Sequence, residues 1–230
     1  MRTFRIPFFA MGSACEVVLA CEDEAEAMRH AEEAFAEVQR IEHKYSRYRA
    51  DSVVSRINAA AGGQAVECDG ETVSLLDYAD ALHKSSDGLF DITSGVLRRA
   101  WDFKAGVLPT PEALAAARSR IGWHKVERDG RCVRLSEPGM ELDFGGFGKE
   151  YAADRAATLL ASAGARHGYV NLAGDMRVIG PKPDGQPWMI GIQDPRQKGA
   201  LIATLPVYQG GLATSGDYER FFELDGRRYC

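Results

Sequence analysis

Apolar residues that recur every three or four positions predict helices in several stretches of the chain. The first stretch carries a capping pair, Asp23 and Glu26. The third opens with Thr110 as its cap and with Pro111 at the first helical position, which is the favoured place for proline. The predicted helices cover residues 23–45, 72–83, 110–122 and 148–163, and residues 46–55 form a polar connection.

Shorter apolar runs bounded by turn residues predict strands. Asp129-Gly130 and Asp225-Gly226 are typical of two-residue hairpin turns. The predicted strands cover residues 16–20, 124–128, 131–135, 140–144, 168–172, 176–179, 188–192, 201–207 and 221–224. Because helices and hairpins are mixed along the chain, we expect an α+β fold with antiparallel or mixed sheets flanked by helices, formed by residues 1–230 as a single domain.

Charge and hydropathy exclude two classes of partner. The net charge is −5 and no stretch gathers lysine and arginine, so nucleic acid is not expected as a partner. No apolar run approaches the ~18 residues of a membrane-spanning helix. The start of the chain superficially resembles a lipoprotein signal, but its apolar core is interrupted by Pro7 and is shorter than the ~7–15 residues that such a signal needs.

The cysteines favour a reducing compartment. Their number is odd, and they are scattered without CxxC spacing, which argues against a disulfide framework and against a zinc site. They are Cys15, Cys21, Cys68, Cys132 and Cys230. We therefore expect a cytoplasmic protein, with a periplasmic, membrane-associated location as the alternative.

The segment 142–154 is the sharpest local feature of the sequence. A predicted strand delivers Asp143, the glycines Gly145, Gly146 and Gly148 allow close approach of the backbone, and a helix begins beside Lys149. The free N–H groups and positive dipole end of a helix N-terminus suit a phosphate group. The segment matches neither the P-loop nor the dinucleotide-binding fingerprint, and a tight turn with surface charges is the alternative interpretation.

Asp91 lies among apolar residues that a core would use. A buried carboxylate must be hydrogen-bonded or must bind something, so Asp91 is either a ligand-binding acid or a turn acid that caps its neighbours. Tyr48, Phe90 and Trp101 could each stack on a planar ring, although aromatic side chains more often pack in a core.

Seven segments, in this order along the chain, resemble the FAD:protein FMN transferase family, also called ApbE-type flavin transferases. The resemblance covers essentially the whole chain and implies an ApbE-like, T-fold-related architecture. The matching segments are residues 9–13, Tyr48 with Ser52, Ser55 and Asn58, residues 88–93 with Trp101 and Phe103, residues 143–154, residues 171–175, Trp188 with Asp194-Pro195, and residues 214–218 with 225–229.

The resemblance implies an activity. Members of this family bind FAD and, with Mg²⁺, transfer its FMN half through a phosphoester bond to a threonine or serine hydroxyl of a target protein, releasing AMP. The flavin-acceptor protein is typically a subunit of a membrane redox complex or a flavin-carrying domain. A non-catalytic FAD-binding protein and an FAD pyrophosphatase are the alternatives.

The resemblance also assigns residues by position. The implied contacts to FAD are Met11, Tyr48, Leu89, Phe90, Asp91, Asp143 and Lys149, with Tyr48 packing by its ring. Gly146 would offer its backbone carbonyl to the magnesium ion. The family's histidine would lie beyond Cys230, so no catalytic residue is assigned.

The family pattern continues after the last residues of this chain with that histidine and with acidic and hydroxyl side chains that hold Mg²⁺. A lone carbonyl would not retain Mg²⁺, which requires several oxygen ligands. Only four residues follow Asp225-Gly226, so the returning strand of that hairpin is expected to be cut short. We therefore expect these 230 residues to belong to a longer enzyme and not to be competent in transfer by themselves.

Overall fold

A computed structural model describes residues 1–197, 199–216 and 221–230 of the chain. These residues divide into two compact units. The first unit consists of Met1–Glu42, Phe147–Phe221 and Cys230, and the second consists of His43–Gly146 and Phe222–Tyr229. The expectation of a single domain stays a prediction.

The described residues form helices and short strands. The helices are α1 (Glu24–Tyr45), α2 (Val53–Ala59), α3 (Gly70–Ser85), α4 (Pro111–Arg118) and α5 (Gly148–Ser162), with 3₁₀ helices at Ile92–Arg99 and Trp123–Lys125. The strands are β1 (Arg2–Ala10), β2 (Ser13–Cys21), β3 (Val66–Glu67), β4 (Val126–Asp129), β5 (Cys132–Leu135), β6 (Gly168–Leu172), β7 (Asp175–Gly180), β8 (Trp188–Gln193), β9 (Leu201–Val207), β10 (Gly210–Leu212), β11 (Phe222–Leu224) and β12 (Arg227–Tyr229). None of the helices in this part of the chain has the length and apolar character needed to cross a bilayer.

The first unit is built on a five-stranded antiparallel sheet with the order β1-β2-β6-β7-β10. Helix α5 packs against β6 and β7 through a face of small residues, which lets the helix backbone approach the sheet closely. Val18, Tyr169 and Trp188 belong to the apolar cluster of this unit, where the two aromatic rings meet edge to face with their centroids 5.2 Å apart. Strands β8 and β9 pair with each other as a separate ribbon.

The second unit contains α2, α3 and α4, the small antiparallel sheet β3-β5-β4 and the hairpin β11–β12. Aromatic rings connect the hairpin to the segment after the first 3₁₀ helix. Phe222 stacks on Tyr229 at 5.2 Å between centroids and meets Phe103 edge to face at 5.5 Å, while Trp101 lies 6.2 Å from Tyr229. These rings give the second unit an aromatic cluster that joins distant parts of the sequence.

Most of the predicted elements are confirmed, together with their local signals. The backbone N–H of Glu26 donates to Asp23 at 2.9 Å, as the capping pair requires. The Thr110 hydroxyl likewise accepts from the N–H of Ala113 at 3.2 Å. Strands β6 and β9 have the predicted bounds, and the turn at Asp129-Gly130 joins β4 to β5.

Several predictions were wrong or incomplete. Residues 140–144 form no strand, helix α4 ends at Arg118 rather than at Gly122, and α2, β1 and β10 were not predicted. The returning strand after Asp225-Gly226, which was expected to be cut short, pairs with β11 over three residues, from Phe222 with Tyr229 to Leu224 with Arg227. Short elements such as α2 and β10 carry too few residues for a periodic pattern to mark them, whereas β1 spans nine residues and lies where the sequence was compared with a lipoprotein signal.

Candidate functional site

A cavity of about 390 Å³ lies in the second unit and brings together five of the predicted site residues. Two guanidinium groups, two carboxylates and three aromatic rings are among the groups on its wall. The lining residues are Arg47, Leu89, Phe90, Asp91, Ile92, Ser94, Gly95, Leu97, Arg98, Trp101, Phe103, Asp143 and Gly146. Aromatic surface with a few charged groups is the lining expected of a site for a planar, anionic ligand.

Asp143 reaches this cavity from an extended segment that has no strand partner. The side chain of Asn58 takes the place of a neighbouring strand, because its Nδ2 donates to the Leu142 carbonyl at 3.0 Å and its Oδ1 accepts from the Leu142 N–H at 2.7 Å. The N–H of Asp143 donates to the Ile92 carbonyl at 2.9 Å. Buried backbone groups must be paired, and here a side chain and a 3₁₀ helix supply the partners.

The Asp143 carboxylate is held by the protein itself. Its Oδ2 forms an ion pair with Arg47, and its Oδ1 accepts from the N–H of Gly145 at 2.9 Å. Burial opposes the charge on Arg47 most strongly, yet its hydrogen bond with Tyr48 and the nearby charge of Asp143 raise the pKa of the guanidinium above its ordinary value. Arg47 and Asp143 therefore form an ion pair in the wall of the cavity.

Asp91 behaves as a capping acid. Its Oδ1 accepts from the N–H and the hydroxyl of Thr93 at 2.8 and 2.6 Å, and its Oδ2 accepts from the N–H of Trp123 at 2.9 Å. Both oxygens are thus engaged by the protein, and the carboxylate fixes the start of the first 3₁₀ helix. A contact of Asp91 with FAD stays a prediction. The hydrogen bonds of its carboxylate with Thr93 and Trp123 hold this part of the cavity wall in place.

The apolar part of the site combines a packed ring with two exposed side chains. The ring of Phe90 lies against Gly146, where an added Cβ atom would come within 2.8 Å of it, so a larger residue at this position requires the ring to move. Leu89, which lines the cavity, is 91% exposed. Tyr48 is 80% exposed and is not among the lining residues, but it contacts Arg47, which is. Arg47 lies over the Tyr48 ring at 5.0 Å and donates to its hydroxyl at 2.9 Å.

A buried acid behind the cavity was missed by the sequence analysis. The Glu141 side chain is 3% exposed and is bound by two consecutive arginines of the first 3₁₀ helix. Arg98 donates from Nε at 2.8 Å and from Nη2 at 3.1 Å, and Arg99 donates from Nε at 2.6 Å. The burial argument made for Asp91 could have found Glu141, which also follows an apolar residue and precedes another.

The remaining predicted residues belong to the first unit. Lys149, in the first turn of α5, places its Nζ 2.7 Å from the Asp175 carboxylate, whose side chain is 3% exposed. Asp175 also accepts from the N–H of Thr214 at 3.1 Å, and the N–H of Gly174 donates to Asn171 at 2.8 Å. The ammonium group of Lys149 is therefore held by a buried acid at the turn between β6 and β7.

Among the described residues, no side chain caps the N-terminus of α5, so the first backbone N–H groups of this helix have no side-chain acceptor. Burial, followed by the charge of Asp175, raises the pKa of the neighbouring Glu150.

Met11 occupies the two-residue turn between β1 and β2 with a φ of 52°, a conformation that residues other than glycine rarely adopt. Asp217 and Tyr218 of the motif at 214–218 lie outside the described residues.

The chain belongs to the ApbE family, whose model matches residues 11–230. It is 33% identical over 240 residues to a protein of Treponema pallidum named FAD:protein FMN transferase. That match covers 95% of this chain and 66% of the relative, so the chain spans just under two thirds of the length of that protein.

Solved structures show the same fold. The ApbE protein of Thermotoga maritima superposes with a TM-score of 0.91 at 34% identity, covering 99% of this chain and 75% of that one. The flavinyl transferase ApbE of Pseudomonas stutzeri, in its apo form, superposes with a TM-score of 0.82 at 31% identity, covering 100% of this chain and 73% of that one. The expected α+β, ApbE-like architecture with antiparallel sheets is thereby confirmed.

Proposed function

We propose that this chain binds FAD and carries the FAD-binding part of an FAD:protein FMN transferase. The observation that carries the proposal is the convergence of Leu89, Phe90, Asp91, Asp143 and Gly146 on one cavity, since the family resemblance assigns the first four to FAD and Gly146 to the magnesium ion. Aromatic rings suit a flavin or adenine ring, and guanidinium groups suit phosphate. The relatives with similar sequence carry the same activity in their names.

The proposed reaction joins FMN to a protein hydroxyl. The acceptor oxygen forms a bond to the phosphorus on the FMN side of the pyrophosphate, the bond from that phosphorus to the AMP oxygen breaks, and the hydroxyl proton passes to solvent. Attack on a pyrophosphate meets negative charge, which cationic groups must neutralise. Lys149, held by Asp175, is a cation of this chain that we assign to that task.

We propose Mg²⁺ as a further participant, which would supply charge neutralisation at the phosphates. Among the described residues no three His, Cys, Asp or Glu side chains are gathered to hold a metal ion. Asp143 is paired with Arg47 and Asp175 with Lys149, so the acids present do not fit a preformed magnesium site. Gly146 stays a predicted ligand through its carbonyl, and phosphate oxygens of a substrate commonly complete such sites.

The acceptor protein that we propose presents a threonine or serine hydroxyl, as a subunit of a redox complex or as a flavin-carrying domain. For the location we propose the cytoplasm. Three of the five cysteines are buried, and all five are free thiols, which supports a reducing compartment. Fractionation of the producing cells, with antibody detection of the chain, tests this proposal, and recovery with the periplasmic fraction would contradict it.

One incubation separates the candidate functions. The full-length protein to which we expect this chain to belong is mixed with FAD, Mg²⁺ and an acceptor that carries the hydroxyl, and the nucleotides and the acceptor are separated by chromatography. Transfer gives AMP and a covalently fluorescent acceptor, pyrophosphatase activity gives free FMN and AMP, and a binding protein retains FAD unchanged. Absence of bound FAD would contradict the proposed function altogether.

Tyr48 offers a sharper test of where FAD binds. We expect Tyr48→Ala to weaken FAD binding about tenfold, because an exposed ring that packs on a planar ligand contributes roughly 1–2 kcal/mol. Tyr78→Ala is the matched control, since Tyr78 is also an exposed tyrosine of the second unit, whereas Tyr48 contacts Arg47, a lining residue of the cavity. Fluorescence titration with FAD measures both variants, and an equal effect of the two would contradict the assignment of Tyr48.

A further inference from the structure

Two arginines share one buried acid at the wall of the cavity. Glu141 accepts hydrogen bonds from both Arg98 and Arg99, whose side chains are 43% and 52% exposed. Only Arg98 of this pair lines the cavity. Glu141 and its two arginines therefore carry a net positive charge. Over the whole cavity wall, the negative charges of Asp91 and Asp143 offset the positive charges of the lining arginines.

The geometry of Arg98 leaves one donor group open. Its Nε and Nη2 are both directed at Glu141, and its Nη1 makes no hydrogen bond to any residue that the structure describes. Because two bonds to a buried carboxylate fix the plane of the guanidinium, the remaining edge is held in one orientation. Arg47, the other arginine of the wall, is paired with Asp143 instead.

We propose that Arg98, oriented by Glu141, is an anion-binding residue of this cavity and takes an oxygen of the FAD pyrophosphate. The inference rests on the proposed function, because it places a part of FAD in the same cavity. Arg99, which is not among the lining residues, donates to the same Glu141 oxygen as Arg98 Nη2 and keeps that buried acid paired. Glu141 acts as a positioning residue, through Arg98.

The test compares a substitution of Arg98, which lines the cavity, with a substitution of Arg99, which does not. In Arg98→Met and in Arg99→Met alike, Glu141 keeps one guanidinium partner, so neither variant leaves a buried unpaired carboxylate. We expect Arg98→Met to raise the Kd for FAD roughly tenfold or more, as loss of a charge-assisted hydrogen bond does. Arg99→Met should stay within about twofold of the parent chain, and Arg98→Lys should restore part of the affinity because it keeps the charge.

Riboflavin, which has no phosphate, identifies the part of FAD that Arg98 contacts. Its Kd is expected to be the same in Arg98→Met and in the parent chain. An equal loss for riboflavin and FAD, an equal loss in Arg98→Met and Arg99→Met, or no loss in Arg98→Met would overturn the proposal. If the parent chain binds FAD in these titrations, such a result leaves the proposed function standing, whereas failure of the parent chain to bind FAD overturns both.

Discussion

The two units hold their candidate site residues in different ways. In the first unit, Lys149 stands in the first turn of a regular helix, and its partner Asp175 begins strand β7 of the five-stranded sheet. In the second unit, Asp143 stands in a segment without regular structure. The side chains of Asn58 and Arg47 and the Ile92 carbonyl hold that segment in place.

The positions of the site residues are thus fixed by two different kinds of interaction. A residue at the end of a helix or strand inherits its position from a ladder of backbone hydrogen bonds, so no single side chain decides it. A residue in an irregular segment depends on a few polar side chains, each with a large individual effect. We therefore expect single substitutions to disturb the second unit more than the first.

The largest effect is expected from Asn58→Ala. This change leaves the N–H and the carbonyl of buried Leu142 without partners, and we expect a loss of about 2–4 kcal/mol in the free energy of unfolding. Urea denaturation measures it. Asn58→Asp keeps the acceptor for the Leu142 N–H but places a carboxylate oxygen against the Leu142 carbonyl, so we expect it to be destabilising as well. A loss below about 0.5 kcal/mol in Asn58→Ala would show that the segment is held by other means.

The next effect is expected from Gly95→Ala. An added Cβ would lie 2.7 Å from the Cβ of Asp143, so the 3₁₀ helix and the Asp143 segment must move apart, at a cost of about 1–3 kcal/mol. FAD affinity should fall together with stability, because the wall of the cavity is displaced. Gly70→Ala is the matched control, since nothing lies within 4 Å of its added Cβ at the start of α3. Thermal unfolding and FAD titration of both variants check this expectation, and equal behaviour of the two would refute it.

The smallest effect is expected in the first unit, from Asp175→Asn. Lys149 loses its charged partner, but its ammonium group is partly exposed and can turn to water, so we expect a loss of about 1–2 kcal/mol. Asp154→Asn removes the more exposed ion pair with Arg177 and should cost less than about 1 kcal/mol. Urea denaturation compares the two. A cost for Asp175→Asn above that of Asn58→Ala would reverse the contrast between the units.

The site was predicted in part from the sequence, for reasons that particular residues make clear. Asp91 was marked because a carboxylate among apolar residues needs partners, and Asp143 because a predicted strand delivers it to a glycine-rich turn; both carboxylates have partners. Arg47 was not marked, because its partner lies 96 residues away along the chain. The burial argument could have marked Glu141 but not its partner Arg98, which lies 43 residues away. Residues 140–144 were predicted as a strand from their apolar pattern, which describes their burial but does not identify what pairs with their backbone.

The sequence by itself determined the local structure and the family of this protein. Capping residues, hairpin turns and apolar periodicity act over a few neighbouring residues, and for that reason α1, α4, α5 and the β4–β5 hairpin could be predicted from them. The tertiary structure alone decided which charges meet, namely Arg47 with Asp143, Arg98 and Arg99 with Glu141, and Lys149 with Asp175. Such pairs depend on distances through space between residues far apart in the chain, and no local pattern encodes those distances.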